Sequence, residues 1–286
     1  GTTVASGKVK ITKSGTHTEF KQSSGTAILN HSSFDIRANE SVNFQQPGAN
    51  ALAVNRVVGS DVSTSIAGRL TANGNVWIVN QHGVTFHAGA VVNVGSLIAT
   101  TADIDNADFM AGNYKFDKPG DPNAKIINEG DITFGEAGLA AFVAPSATNR
   151  GVIAGRMGKV VIAGNETFAV DLAGDGMWAF TMGEGANAAS AGNSGRIHNP
   201  GGYILISARA AQGMVDSNIS VGGVVEATTA RVEGGKIVLS GDGFVEVSGE
   251  LDARGAEAGQ VGRRVVDKGR GWCCSSGSGR GSRHRR

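Results

Sequence analysis

Asn73-Gly74-Asn75-Val76-Trp77-Ile78-Val79-Asn80-Gln81-His82-Gly83-Val84-Thr85-Phe86-His87-Ala88-Gly89-Ala90-Val91-Val92-Asn93-Val94-Gly95 reads as short strand, tight turn, short strand, tight turn, with no gap long enough for a helix. Val76 to Val79 is an apolar, β-branched and aromatic run of the kind that packs as a fully buried strand. Asn80 to Gly83 is then a turn, because Asn, His and Gly tolerate positive φ better than other residues and glycine does so at no steric cost. From Val84 the pattern alternates, with Val84 and Phe86 on one face and Thr85 and His87 on the other. Gly89 and Gly95 punctuate the next two segments. Strands this short cannot bury their faces alone, so the unit must stack on copies of itself, which points to a β-solenoid.

The rest of the chain keeps this rhythm. Gly7-Lys8-Val9-Lys10-Ile11 and Thr16-His17-Thr18-Glu19-Phe20 alternate, as edge or capping strands do. Ala27-Ile28-Leu29-Asn30-His31-Ser32-Ser33-Phe34-Asp35-Ile36 follows, then Glu40-Ser41-Val42-Asn43-Phe44-Gln45-Gln46-Pro47 and Ala53-Val54-Asn55-Arg56-Val57-Val58-Gly59. Ile66 to Gly74 leads into the central stretch, and Gly95-Ser96-Leu97-Ile98-Ala99-Thr100-Thr101-Ala102-Asp103-Ile104 leaves it. Residues 109–123 read as an excursion, with Phe109, Tyr114 and Phe116 among Gly112, Pro119, Gly120 and Pro122. Ile126 to Thr133 and Ala140 to Pro145 return to the strand-turn pattern. In the second half Gly158-Lys159-Val160-Val161-Ile162-Ala163, Gly202-Tyr203-Ile204-Leu205-Ile206-Ser207 and Gly235-Lys236-Ile237-Val238-Leu239-Ser240 share one template, with starts 44 and 33 residues apart. The repeat is therefore imperfect and loops vary between coils.

Composition fits. The chain has 286 residues, enough for a large core in one all-β domain. Its 44 glycines stand beside only 5 prolines, and charged residues are 18%, below the usual quarter or so. No run of apolar residues is long enough for a membrane-spanning helix. No charged-then-apolar leader opens the chain at Gly1, which is the pattern of a cytosolic protein or of a mature or trimmed secreted product. The net charge of +1 hides an asymmetry: residues 1–253 hold 17 basic and 23 acidic residues, whereas the remainder holds nine and two. Cys273 and Cys274 both lie in that basic end, so the body needs no disulfide. From Val261 the alternation stops, and the end turns to Gly, Ser, Arg and His. A basic arm for nucleic acid or anionic lipid is one reading of it. An acidic body with no second basic patch favours the other, a disordered or frame-shifted tail over 256–286.

Asn80-Gln81-His82-Gly83-Val84 resembles the Asn-Pro-Asn-Gly-aliphatic motif in the N-terminal secretion domain of filamentous haemagglutinin-like exoproteins, the passengers of bacterial two-partner secretion. Gln81 and His82 depart from that motif. The blocks at Ala27–Ile36, Glu40–Pro47, Ala53–Gly59 and Gly95–Ile104 are similar to successive blocks of the same domain, with His31 where the family carries an aromatic residue. The resemblance runs from about Val9 to Asp252. It implies an all-β, single-stranded, right-handed parallel β-helix over 1–255, with an N-terminal cap in about 1–25 and small extra-helical hairpins. At about 20 residues and about 4.8 Å per coil such a body is a rod of about 50–60 Å. Its C-terminal edge near Val247 is expected to be open. The implied function is export to the periplasm, recognition by the periplasmic domains of an outer-membrane β-barrel transporter, and nucleation of β-helix folding outside the cell. The product is secreted or held at the bacterial surface, commonly as an adhesin with a host-cell or surface glycan or protein receptor. The implied secretion-motif and turn residues are Asn55, Arg56, Asn80, Gln81, His82 and Gly83. A monomer is expected, with no nucleic-acid partner.

Enzyme chemistry finds no support in the motifs. No Gly-x-Ser-x-Gly elbow, Walker loop or dinucleotide fingerprint occurs. His82 and His87 are an odd number of residues apart, so a strand sends them to opposite faces, and neither a metal site nor a cofactor is expected. Asp103, Asp105 and Asp108 lack the Gly and distal Glu of a calcium loop and suit turn and cap duty. Trp77 reads as core rather than as a sugar-stacking platform. Arg56 either steers a partner or satisfies carbonyls at a coil end. Because parallel β-helices also host polysaccharide lyases and hydrolases, a polysaccharide-active enzyme and a surface carbohydrate- or protein-binding module stand as alternatives.

Overall fold

The computed structural model describes residues 1–59, 61–172, 178–210, 217–227, 236–241 and 244–253, and the short strands Val265–Asp267 and Trp272–Cys273. Each coil of the chain contributes one strand to each of three sheets. The central coil runs Asn75–Val79, Val84–Phe86, Val91–Val94 and then rises into Ser96–Thr100, directly above Asn75–Val79. Among the described residues the first sheet, with Asn75–Val79, holds ten strands, the second, with Val91–Val94, ten and the third, with Val84–Phe86, eight, and coil-to-coil pairing is parallel. This is the expected parallel β-helix.

Alternation places the interior. Val76 and Ile78 of the central strand, with Val84, Phe86, Val92 and Val94, belong to one continuous apolar core inside the coils. Phe20 stacks on Phe44 at 4.6 Å and Phe86 on Phe142 at 5.9 Å within it. The other face of the same strand is buried too, but outside the coil. Trp77 and Val79 join a second core with Ile28, Val54 and Ile98 on one side and Phe109, Phe116, Phe168 and Val170 on the other. The lid over that face comes from two excursions. Helix Asn106–Met110 and strand Tyr114–Phe116 leave one coil, and the hairpin Phe168–Leu172 with Trp178–Met182 leaves another. They join in one antiparallel sheet that lies outside the helix. Trp77 meets Phe109, Tyr114, Phe116 and Trp178 with centroids 4.9–5.9 Å apart. The second excursion was not foreseen; its sequence signal is the aromatic set Phe168, Trp178 and Phe180, as at 109–116.

These insertions change the dimensions. Partners one coil apart are 21 residues apart at Asn128–Asn149, but 43 at Ser96–Leu139 and 44 at Asn149–Asn193. Longer coils mean fewer of them. Ten strands at about 4.8 Å span about 43 Å, short of the length inferred from 20-residue coils. The aligned template at Lys159, Tyr203 and Lys236 does stack in register in the first sheet.

The corner between the third and second sheets shows why the coils stay aligned. Asn128, Asn149 and Asn193, all buried, form a ladder: Asn128 Nδ2 donates to Asn149 Oδ1 at 2.8 Å, and Asn149 Nδ2 to Asn193 Oδ1 at 2.7 Å. Two residues on in each coil is a glycine. A Cβ on Gly151 would lie 2.2 Å from the Gly130 carbonyl oxygen, one on Gly195 2.1 Å from that of Gly151, and one on Gly223 2.0 Å from that of Gly195. The Asn-x-Gly triplet thus marks a corner where backbones stack too closely for any side chain.

Both ends differ from the middle. Thr2–Ser6 closes the first sheet by pairing antiparallel with Thr26–His31, and Val9–Ser14 closes the second by pairing antiparallel with His17–Gln22. These two strands are the cap. At the other end Val265–Asp267 pairs in parallel with Ile237–Leu239, and Trp272–Cys273 with Val245–Glu246. Two short strands of the end expected to leave the solenoid therefore extend two of its sheets, while the rest of 256–286 lies outside the described residues; the strand Phe244–Val247, expected to be an open edge, carries a neighbour. Parallel pairing needs only backbone groups, so the loss of alternation does not exclude it.

Two outcomes test this description. Gly195→Ala should lower unfolding stability by about 1–3 kcal/mol, because the clash is with backbone and not with a movable side chain. Gly25→Ala, with open space at its Cβ position, should leave the urea midpoint unchanged. His31 supplies the second. It is 1% exposed, and burial pushes its pKa down to about 4 from an ordinary 6.5. Its neutral form contributes stability that is fully present above the unfolded value and lost as pH falls from 6.5 towards 4. Stability should fall by about 1.4 kcal/mol per pH unit from this group, and His31→Phe, measured by urea unfolding at several pH values in that window, should flatten the slope.

Candidate functional site

The turn Asn80–Gly83 is built by one side chain. Asn80 is buried. Its Oδ1 accepts from the His82 backbone N–H at 2.9 Å, while its Nδ2 donates to Val62 O at 3.1 Å and to Thr64 Oγ1 at 3.0 Å. The turn closes through Gly83 N–H donating to Asn80 O at 2.9 Å. Gly83 has φ 106°, and a Cβ there would lie 2.4 Å from Lys125 O. The turn is therefore bonded to the coil below through Val62 and Thr64, and to the coil above through Asn80 N–H donating to Thr100 O at 3.0 Å. Gln81 is exposed, but its carbonyl accepts from Asp121 N–H at 2.9 Å. The His82 ring stands between Asp61 at 3.9 Å and Asp121 at 3.8 Å.

Arg56 and Asn55 sit in the strand Leu52–Val57, not in a turn. Successive residues of a strand face opposite ways, and so do these. Asn55 points inward, where its Oδ1 accepts from His31 Nε2 at 2.9 Å and its Nδ2 donates to Trp77 O at 3.4 Å. Since that amide oxygen can only accept, Nε2 carries the proton and His31 Nδ1 accepts from the Thr2 hydroxyl at 2.9 Å. Arg56 points outward and holds the first excursion. Nε donates to Asp103 Oδ1 at 2.7 Å, Nη1 to Asn106 Oδ1 at 2.6 Å and Nη2 to the Ile104 carbonyl at 2.7 Å. A buried guanidinium needs such a full set of acceptors, and here it clamps a segment about 50 residues away in sequence. Asp103 thus has a larger part than a turn. Asp105 is the N-cap of the short helix, accepting from Ala107 N–H at 2.8 Å, and Asp108 accepts from Asn113 Nδ2 at 3.1 Å.

The two arrangements meet. Arg56, Val57, Val58, Gly59, Asp61, Val79, Asn80, Gln81, His82 and Asp103 line one cleft of ≈ 260 Å³. Four of the six residues singled out from sequence are brought together there, whereas Asn55 is on the far face of its strand and Gly83 lies just behind. Asp103, Asn106 and Asp121 were missed as members of the site, since their partners are 47, 50 and about 40 residues away with no local pattern to link them. His87 turns from the cleft and bonds Ser65 Oγ at 2.9 Å. Among the described residues no group of three His, Cys, Asp or Glu side chains could hold a metal ion. On the outer face of the second sheet Glu226 accepts from both Arg196, at 2.6 Å, and His198, at 3.1 Å. Its carboxylate is thereby engaged as one side of an ion pair.

Comparison with known proteins agrees with this geometry. The family model for the TPS secretion domain matches residues 1–255. Two heme/hemopexin-binding proteins of Haemophilus influenzae are each 32% identical, over 89% and 82% of this chain. The chain spans only 28% and 27% of their lengths. The crystal structure of the HMW1 secretion domain from Haemophilus influenzae superposes with a TM-score of 0.73 at 25% identity, covering 94% of this chain and 81% of that one. Sequence and fold converge on a family of secretion domains, which is not a known family of enzymes: the chain belongs to the TPS secretion domain family, found in exoproteins that are secreted by the two-partner pathway.

Proposed function

We propose that this domain carries the export signal of a larger exoprotein, is recognised by the periplasmic domains of its outer-membrane β-barrel transporter, and folds first outside the cell as the template for the coils that follow. The observation that carries the reading is the Asn80–Gly83 turn. The Asn80 side chain bonds the coil below through Val62 and Thr64, its backbone N–H bonds Thr100 in the coil above, and left-handed Gly83 packs too close to the Lys125 carbonyl for any side chain. A turn so tied is formed only when its neighbours are, so it reports and completes the first stack of coils. Templated growth supplies the driving force. Each new coil satisfies the backbone groups left bare on the last one, and parallel pairing is otherwise slow because its contacts are distant in sequence. Gln81 and His82 lie on the cleft side of the turn, and the amide and imidazole are the groups a transporter would read. Arg56 supports the same cleft by holding the excursion against the first sheet.

In a strain carrying the matching transporter, Asn80→Ala and Gly83→Val should reduce the secreted amount several-fold. The first strands bonds worth about 1–3 kcal/mol in a buried setting, and the second meets both a backbone oxygen and an unfavourable φ. His87→Ala, outside the cleft, should be secreted normally. Normal secretion of both turn variants would overturn the assignment of the signal to this turn.

A further inference from the structure

We infer that the N-terminal cap is a docking surface for the phosphate headgroups of an anionic membrane, on which the solenoid stands end-on. Lys8, Lys10, Lys13 and Lys21 are all exposed, and Glu19 is the only acid in the first 34 residues. The remaining body, residues 35–253, holds thirteen basic and 22 acidic residues, a balance of −9. The capped end is therefore positive and residues 35–253 negative, with a second positive region only in the basic end from Arg254. The cap is the basic patch that composition taken over the whole body concealed.

Lys10 lies directly opposite Lys21 on the paired strands Val9–Ser14 and His17–Gln22. On its other side Lys21 faces neutral Gln45. Like charges directly opposite each other destabilise a sheet, and among the described residues neither lysine forms an ion pair. Glu19, two residues before Lys21, accepts from Asn43 Nδ2 at 3.0 and 3.1 Å and stands 3.2 Å from His17 Nε2. Protection of an open edge explains lysines on an outermost strand, which covers Lys10 and Lys13. It does not explain Lys21, whose strand is paired on both sides. Lys8, Lys10 and Lys21 instead converge on one open concavity of ≈ 530 Å³, lined also by Val4, Val9 and Ser23.

The apolar residues select the occupant. Val4, one of the few large apolar side chains exposed in the described structure, lines that concavity with Val9 beside Lys8, Lys10 and Lys21. Lysines interleaved with exposed aliphatics are the composition of a membrane-interface surface, where ammonium groups meet lipid phosphate and the aliphatics enter the headgroup boundary. A soluble anion would use only the lysines. Residues 35–253, with their balance of −9, are repelled by the same surface, so within this part of the body contact is confined to the cap.

The test is co-sedimentation of the full chain with vesicles of phosphatidylcholine alone or with about one third phosphatidylglycerol. All chains carry Gln in place of Arg254, Arg263, Arg264, Lys268, Arg270, Arg280, Arg283, Arg285 and Arg286, so that the basic end does not compete. The parent should bind only the anionic vesicles, and added salt should release it. Lys8→Gln, Lys10→Gln and Lys21→Gln together should weaken binding about 100-fold, at roughly fivefold per lysine. Its thermal midpoint should be unchanged or higher, since a repulsive pair is removed. Undiminished binding by the triple variant would overturn the inference. So would equal binding of the parent to uncharged vesicles, or release from vesicles by inorganic polyphosphate at matched phosphate concentration.

Discussion

Every coil of this protein must lie one hydrogen-bond spacing above the last in three sheets at once. That constraint is most severe at the corners, where the chain turns without room to move aside. At Gly130, Gly151, Gly195 and Gly223 the carbonyl of the coil below occupies the space a Cβ would need. The adjoining asparagines satisfy the polar groups that such turns leave inside: Asn149 Nδ2 also donates to Gly151 O at 3.2 Å, and Asn193 Nδ2 to Gly195 O at 3.1 Å. Small residues set the spacing and amides hold it.

The corner constraint leaves the sheets free to carry insertions, and these give the domain its second core. A strand buried only on its inner face would alternate, but Val76-Trp77-Ile78-Val79 is apolar throughout because an excursion covers its outer face. Covering it requires the excursion to stay in place. Arg56 does this with three donors aimed at Asp103, Ile104 and Asn106, and the aromatic contacts of Trp77 complete the seal. The cleft beside the Asn80–Gly83 turn exists because this clamp and this turn meet at one end of the same sheet.

The solenoid is also directional. One end is closed by antiparallel strands and carries the uncompensated lysines; the other continues in parallel pairing past Asp252. The chain spans little more than a quarter of its relatives' length.

Strand positions, the turn at Asn80–Gly83 and the all-β class were legible in the sequence because side-chain period and glycine placement are local properties. Val84, Phe86 and the templates starting at Lys159, Tyr203 and Lys236 sit where alternation and repetition put them. The Asn-x-Gly ladder was equally local, but its spacing of 21 and then 44 residues hid it as a repeat. What only the tertiary structure decided is which residues face each other across coils. Arg56 reads alike whether it binds a partner or a carbonyl, and Asn55 looks like a turn residue although its strand buries it against His31. Lys10 and Lys21 are unremarkable eleven residues apart until the hairpin sets them side by side. Such contacts depend on the length of the chain looped out between them, and no local pattern of residue types encodes that length.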